Sequence, residues 1–193
     1  MAMAREETIS PQPVLLGLLM SRPRHGYELY QEFQAELGRV WQMGMSQLYA
    51  HLHQLEEAGL VEAHTEPQEG RPPRKVYHLT AEGQATFDDW LRQPTPYVRH
   101  LRVEFLARLY FYRYLSLPGV EQLVGAQIEV CQSQMLRFAR LAEGEEDDFR
   151  RLVLEFRHGQ LQAVVQWLDR CLETLAGPQR QEAAGLAGQA RGS

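Results

Sequence analysis

A chain of 193 residues, 44% hydrophobic and 23% charged with a net charge of −5, can bury one domain with an appendage or two small domains. No run reaches the roughly 18 to 20 consecutive apolar residues of a membrane span, and residues 1–10 lack the apolar core of a signal peptide, so a cytoplasmic protein without a membrane partner is expected. Cys131 and Cys171, 40 residues apart with no CxxC motif and no histidine cluster, fit reduced core thiols better than a disulfide framework, and a redox role stays open.

In chain order, residues 9–20 read as a first helix, with Val14, Leu15, Leu18 and Leu19 on one side and Pro11 and Pro13 near its start. Ser21-Arg22-Pro23-Arg24 stops it. A second helix is predicted over residues 25–37, where Leu29, Tyr30, Phe33 and Leu37 recur at helical spacing before the terminator Gly38. After a turn at Trp41 comes a third, amphipathic helix running into Gly59 and Leu60. Its Leu48, Leu52 and Leu55 fall at i, i+4 and i+7 and share the core face. The opposite side carries Ser46, Ala50, His53 and Glu57, flanked by Gln47, Tyr49 and Gln54. Small, amide and hydroxyl groups gather in the first two turns, the part of a recognition helix that enters the major groove. Glu56 and Glu57 come later, where they are expected to stay clear of phosphate.

Two short strands follow, residues 60–65 and 75–80, joined by Glu66-Pro67-Gln68-Glu69-Gly70-Arg71-Pro72-Pro73-Arg74. Gly70 permits the turn, and the prolines lower the entropy lost when this basic tip docks. Helix, helix, recognition helix, strand, hairpin, strand is the order of a winged helix-turn-helix. A further helix, residues 81–92, places Phe87 and Leu91 on one face, and Pro94-Thr95-Pro96 then marks a domain boundary.

Charge argues against a nucleic-acid partner in total but not in place. Residues 1–96 hold 8 basic against 13 acidic side chains, and residues 97–193 hold 12 against 12. Yet Arg22, Arg24, Arg71, Arg74 and Lys75 lie on two loops that a winged helix turns toward phosphates, and exposed charges more than about 10 Å away are largely screened. Gln47, Tyr49 and His53 are the expected base-edge contacts, with Ser46 and Ala50 near phosphate or a thymine methyl. Tyr27, at the start of the second helix, is placed on the backbone with the amides of that helix N-terminus. Arg71, Arg74 and Lys75 would hold the wing on phosphates or in the minor groove. Tyr49 packed between helices is the bland alternative.

Beyond the boundary three helices are predicted, residues 98–115, 118–142 and 145–176. Val120, Leu123, Val124, Ile128, Cys131, Met135 and Phe138 step by three and four in the second. Phe149, Leu152, Val153, Phe156, Gln160, Ala163, Val164, Trp167, Cys171, Leu172 and Leu175 do so in the third. Such stripes call for a second copy, the alternative being a self-contained three-helix subdomain. Tyr110, Arg113 and Tyr114, with His158 and Trp167 on another helix, suit an aromatic acid, rings stacking on rings and arginine pairing a carboxylate. An aromatic dimer core is the bland reading. Residues 177–193, rich in glycine, alanine and glutamine without periodicity, are expected to be disordered.

No phosphate-cradling glycine loop, HExxH or GxSxG is present, so neither catalysis nor a cofactor is expected. His51 and His53, at i and i+2, cannot share a helix face, which argues against a metal pair. The rival from another class is a winged helix that docks a protein instead of DNA.

Leu15-Leu16-Gly17-Leu18-Leu19, His25-Gly26-Tyr27-Glu28-Leu29, Gln47-Leu48-Tyr49, Leu55-Glu56, Gly59-Leu60-Val61, Gly70-Arg71-Pro72-Pro73-Arg74-Lys75-Val76-Tyr77 and Leu79-Thr80, taken in order, resemble the PadR family of transcriptional regulators. Arg102-Val103-Glu104-Phe105-Leu106 and Gln166-Trp167-Leu168 look like the C-terminal helical domain of its longer subfamily. The resemblance implies a mainly α fold with a small β-hairpin wing: a winged helix-turn-helix over residues 9–93 and a helical dimerisation and effector domain over 97–176. It also implies a homodimeric repressor bound to a palindromic operator of its own or a neighbouring operon and released by a small molecule. Ala50 stands where many members have proline, and His51 and His53 where many carry lysine or arginine, which predicts weak non-specific binding.

Overall fold

The computed structural model describes the backbone of residues 9–68 and 71–189 and the side chains of residues 9–67 and 73–175. The turn expected at Gly70, the Arg71 side chain and residues 190–193 of the tail lie outside the described residues. The chain divides into two compact units, the first reaching Gln93 and including His100–Ser116, the second made of Pro94–Arg99 and the chain from Leu117 onward.

In the first unit, α1 (Gln12–Leu19) is buried at every position from Val14 to Leu19. Its prolines cost little, because the first-turn amides of a helix have no acceptor within it. Then come β1 (Arg24–His25), α2 (Gly26–Leu37), α3 (Met45–Glu57), β2 (Val61–Gln68), β3 (Arg71–Leu79) and α4 (Ala81–Arg92). The antiparallel sheet has the order β1-β3-β2. β1 falls where the sequence shows only a helix stop; two residues suffice, because Arg24 and His25 pair with Tyr77 and Val76 on the free edge of β3.

The hairpin strands also run further than expected. Glu66 pairs with Arg74 and Gln68 with Arg71, with a register shift at Pro67 between them. Proline has no amide to give the ladder, and a bulge is where a strand tolerates it. Leu29, Phe33 and Leu37 of α2, Leu48, Leu52 and Leu55 of α3, and Phe87 and Leu91 of α4 close the core as their spacing predicts. Thr80 caps α4 by accepting from the Gly83 amide at 3.0 Å and donates to the Gly59 carbonyl at 2.9 Å.

After the expected boundary come a helical stretch α5 (Val98–His100), a π-helical turn (Leu101–Phe105) and α6 (Leu106–Tyr114). Although Pro94 and Pro96 interrupt the chain, residues from His100 belong with the winged helix. The aromatic core explains this: Phe111 of α6 meets Phe87 edge-on, centroids 5.2 Å apart, and lies 6.3 Å from Trp90. A side chain at Gly17 would collide with Phe87 and Phe111, its Cβ falling 2.5 Å from each ring, so glycine lets α1 sit against both.

The second unit holds a helical hairpin of α7 (Val120–Glu143) and α8 (Asp148–Gln189). Val120, Leu123, Val124 and Cys131 of α7 are buried as expected. Among the described side chains of α8, Leu161, Leu168 and Cys171 are buried, whereas Phe149, Leu152 and Phe156 of the predicted stripe are 73%, 61% and 64% exposed. A helix with two apolar stripes can turn only one of them to a single neighbour. Gln127, itself buried, accepts from the Thr95 amide at 2.6 Å and donates to the Thr95 carbonyl at 3.0 Å, while Gln134 donates to the Pro96 carbonyl at 2.8 Å. The backbone of α8 runs on to Gln189, through residues expected to be disordered. Alanine, glutamine, glutamate and arginine are sound helix formers, and a missing amphipathic period does not forbid a helix.

Candidate nucleic-acid interface

The start of α3 is fixed by its own sequence: the Gly44 amide donates to Gln47 Oε1 at 3.0 Å, satisfying a donor the helix leaves open. With Leu48, Leu52 and Leu55 fully buried, Ser46, Gln47, Tyr49, Ala50 and His53 all reach the exposed side together, as their spacing predicts. Tyr49 does two things. It is 42% exposed, yet a Cβ on Gly26 would fall 2.5 Å from its ring, so the ring also spaces α3 against the start of α2. Tyr27, in the first turn of α2, is 54% exposed. That turn is tied by the His25 amide, which donates to Glu28 Oε2 at 3.1 Å. The same amide holds the Glu28 carboxyl below its ordinary range, outweighing partial burial, with Arg22 at 3.6 Å adding to the effect. At the other end of the exposed face, Gln54 Oε1 takes a bond from Gln12 Nε2 at 2.8 Å, tying α3 to α1.

Among the described side chains, Lys75 and Arg74 of this face are both paired. Lys75 Nζ lies 3.3 and 3.2 Å from the two oxygens of Glu56, Arg74 is 3.5 Å from Glu66, and His53 Nδ1 is 3.4 Å from Glu57. Glu56 is therefore not set apart from the basic residues of the wing; it grips one of them across the gap between α3 and β3.

Arg24 corrects a second expectation. Only 4% exposed, it donates to the Leu18 carbonyl, to Ser21 Oγ at 3.0 Å and to Tyr114 Oη at 2.9 Å, and pairs with Glu32 at 3.6 Å. It braces α1, α2 and α6 and has no path to phosphate. Arg108, which the sequence did not single out, is equally buried: its Nε donates to the Trp90 carbonyl at 2.9 Å, its guanidinium lies 4.6 Å from the Trp90 ring centroid, and Glu104 is 3.6 Å away. No sequence signal distinguishes such bracing arginines from solvated ones: Arg24 sits beside a turn and Arg108 within a helical run, and neither setting tells which side the fold covers.

The five expected effector residues are not collected in one unit. Tyr110, Arg113 and Tyr114 lie on α6 of the first, His158 and Trp167 on α8 of the second. The Tyr110 and Tyr114 rings stack with centroids 5.3 Å apart, and Tyr114 donates to Glu32 at 3.3 Å. The Tyr110 hydroxyl is buried with no hydrogen-bond partner; burial first, and then the nearby Glu36, push its ionisation well above the ordinary tyrosine range. Burial likewise raises the thiols of Cys131 and Cys171, leaving little thiolate to react at neutral pH. Among the described residues, no three histidine, cysteine or acidic side chains gather to hold a metal, and no helix is long and apolar enough to cross a membrane.

A tri-helical core, an exposed third helix and a long hairpin beside it define a winged helix-turn-helix, the architecture of a class of DNA-binding regulators. Residues 15–89 match the model described as the transcriptional regulator PadR-like family, and residues 101–176 the one described as virulence activator alpha C-term. The negative transcriptional regulator PadR of Bacillus subtilis is 31% identical over 121 residues, 63% of this chain and 66% of that protein. A probable transcriptional regulator of Mycobacterium tuberculosis is 33% identical over 84 residues, 44% of each chain. The matched stretches thus span just under two thirds or less of these relatives' lengths. A crystal structure of Bacillus subtilis PadR in complex with operator DNA aligns with a TM-score of 0.44 and 26% identity, covering 84% of this chain and 97% of that one. Over residues 15–89 the chain belongs to the PadR-like family of transcriptional regulators.

Proposed function

We infer that this regulator is a cytoplasmic homodimer that binds a palindromic operator near its own or a neighbouring operon and represses it. The observation that carries the reading is the exposed face of α3, where Ser46, Gln47, Tyr49, Ala50 and His53 present amide, hydroxyl and imidazole groups clear of the buried leucines. Gln47 caps the helix through its oxygen, which leaves its amide nitrogen to donate to a base edge. Tyr27 takes the backbone at the start of α2, and Arg71, Arg74 and Lys75 take phosphates along the wing. Repression is supported by the description of the Bacillus subtilis relative as a negative regulator.

An aromatic acid is the effector class we assign. Stacked Tyr110 and Tyr114 offer ring faces, and exposed Arg113 offers a partner for a carboxylate. His158 and Trp167 enter this assignment only as positions to substitute.

Fluorescence anisotropy with a duplex from the protein's own upstream region, against a scrambled duplex, tests the reading. Binding should prefer the upstream duplex, and Gln47→Ala should cost about 1 to 3 kcal/mol there and far less on scrambled DNA. Equal losses on both would remove the base-reading role, and no preference at any salt would favour the protein-docking alternative.

A further inference from the structure

Resting on the DNA-binding reading above, we propose that Glu56 is a specificity-determining residue. Its carboxylate holds Lys75 away from non-specific phosphate, so the wing grips DNA only where α3 has already found its bases. The geometry is direct. Lys75 Nζ sits 3.3 and 3.2 Å from the two oxygens of Glu56, bridging the last turn of α3 to β3, and both side chains remain partly exposed. An exposed pair of this kind adds little to folding stability, so its consequence is electrostatic. A free ammonium would release a counterion at every phosphate it met; one already neutralised by a carboxylate gains much less on meeting one. Glu66 treats Arg74 in the same way at 3.5 Å. Both cations with described side chains on β3 thus face a phosphate backbone already paired. Only a duplex fixed by base contacts from α3 keeps a phosphate in place long enough to exchange with Glu56.

The test uses the full-length chain, wild type and Glu56→Gln, alone and with Lys75→Ala, titrated with scrambled and upstream duplexes across a salt series. Glutamine keeps the shape and helix preference of glutamate, so the melting temperature serves as a control for folding. Glu56→Gln should tighten scrambled-DNA binding by about three- to tenfold at low salt and steepen the log–log salt slope by about 0.9, one phosphate contact. The upstream duplex should gain less, so discrimination falls. With Lys75→Ala in place, the gain should shrink to less than about twofold. Unchanged scrambled-DNA binding in Glu56→Gln, or the same gain with and without Lys75, overturns the proposal. If wild type still prefers the upstream duplex in that event, only the masking role is lost; if wild type prefers neither duplex, the DNA-binding reading falls as well.

Discussion

Arg24 and Lys75 carry the same charge and each has a carboxylate beside it, but their surroundings give them different work. Lys75 is exposed and can change partners. Arg24 is enclosed by a carbonyl, two hydroxyls and Glu32, with its Nε unsatisfied, so it has been moved out of water for good. Removing the partner of a buried charge is more harmful than removing a solvated pair. Since Glu32 keeps partial contact with water, Arg24→Ala should cost about 2 to 4 kcal/mol in chemical denaturation. The salt slope of DNA binding by the folded fraction should not change; a shallower slope would mean that Arg24 meets phosphate after all. The sequence could not separate the two residues, because a charge beside a turn looks the same whether the fold covers it or not. By contrast, the α3 set from Ser46 to His53 was legible. Once leucines at i, i+4 and i+7 fix the buried side, geometry leaves the others outside.

At the scale of elements, helix periodicity was read well and neighbour geometry was not. Gly17 looks like any helical glycine in sequence, yet it is the point at which α1 meets two aromatic rings. Gly17→Ala should therefore lower stability by about 1 to 3 kcal/mol through overpacking, against the usual helical preference for alanine. Gly159→Ala, on α8 with open space around the new methyl, should raise stability by about 0.5 to 1 kcal/mol. Thermal melts of the two variants should move in opposite directions; a shared rise would show that the rings give way at no cost. The longer strands of the wing and the two-residue β1 escaped the sequence for a related reason. Strand pairing depends on what lies opposite, and Pro67, Pro72 and Pro73 read locally as loop.

For the whole molecule, the sequence shows a proline break at Pro94 but gives no sign that Leu101–Tyr114 packs with the winged helix, since the aromatic spacing on α6 does not tell which core it enters. Part of the apolar stripes it shows stays uncovered in one chain. Leu136 and Leu141 of α7 and Phe149, Leu152 and Phe156 of α8 remain exposed in a single chain. They are the side chains that the proposed homodimer would have reason to cover. Leu152→Glu combined with Phe156→Glu should convert a dimer into a monomer in light scattering and weaken binding to a palindromic duplex far more than to a half-site, because avidity is lost. A dimer that survives both changes would place the interface elsewhere.

The segment around Thr95, with a proline on either side, has the composition of a flexible linker, the usual choice for cutting a two-unit protein into fragments. Proteases take their substrates as extended strands, through the backbone amides and carbonyls of the residues they cut. At Thr95 both groups are already engaged by the side-chain amide of Gln127, which stands in for a neighbouring strand, and Gln134 occupies the next carbonyl at Pro96. The stretch that looks easiest to cleave is thus among the least available.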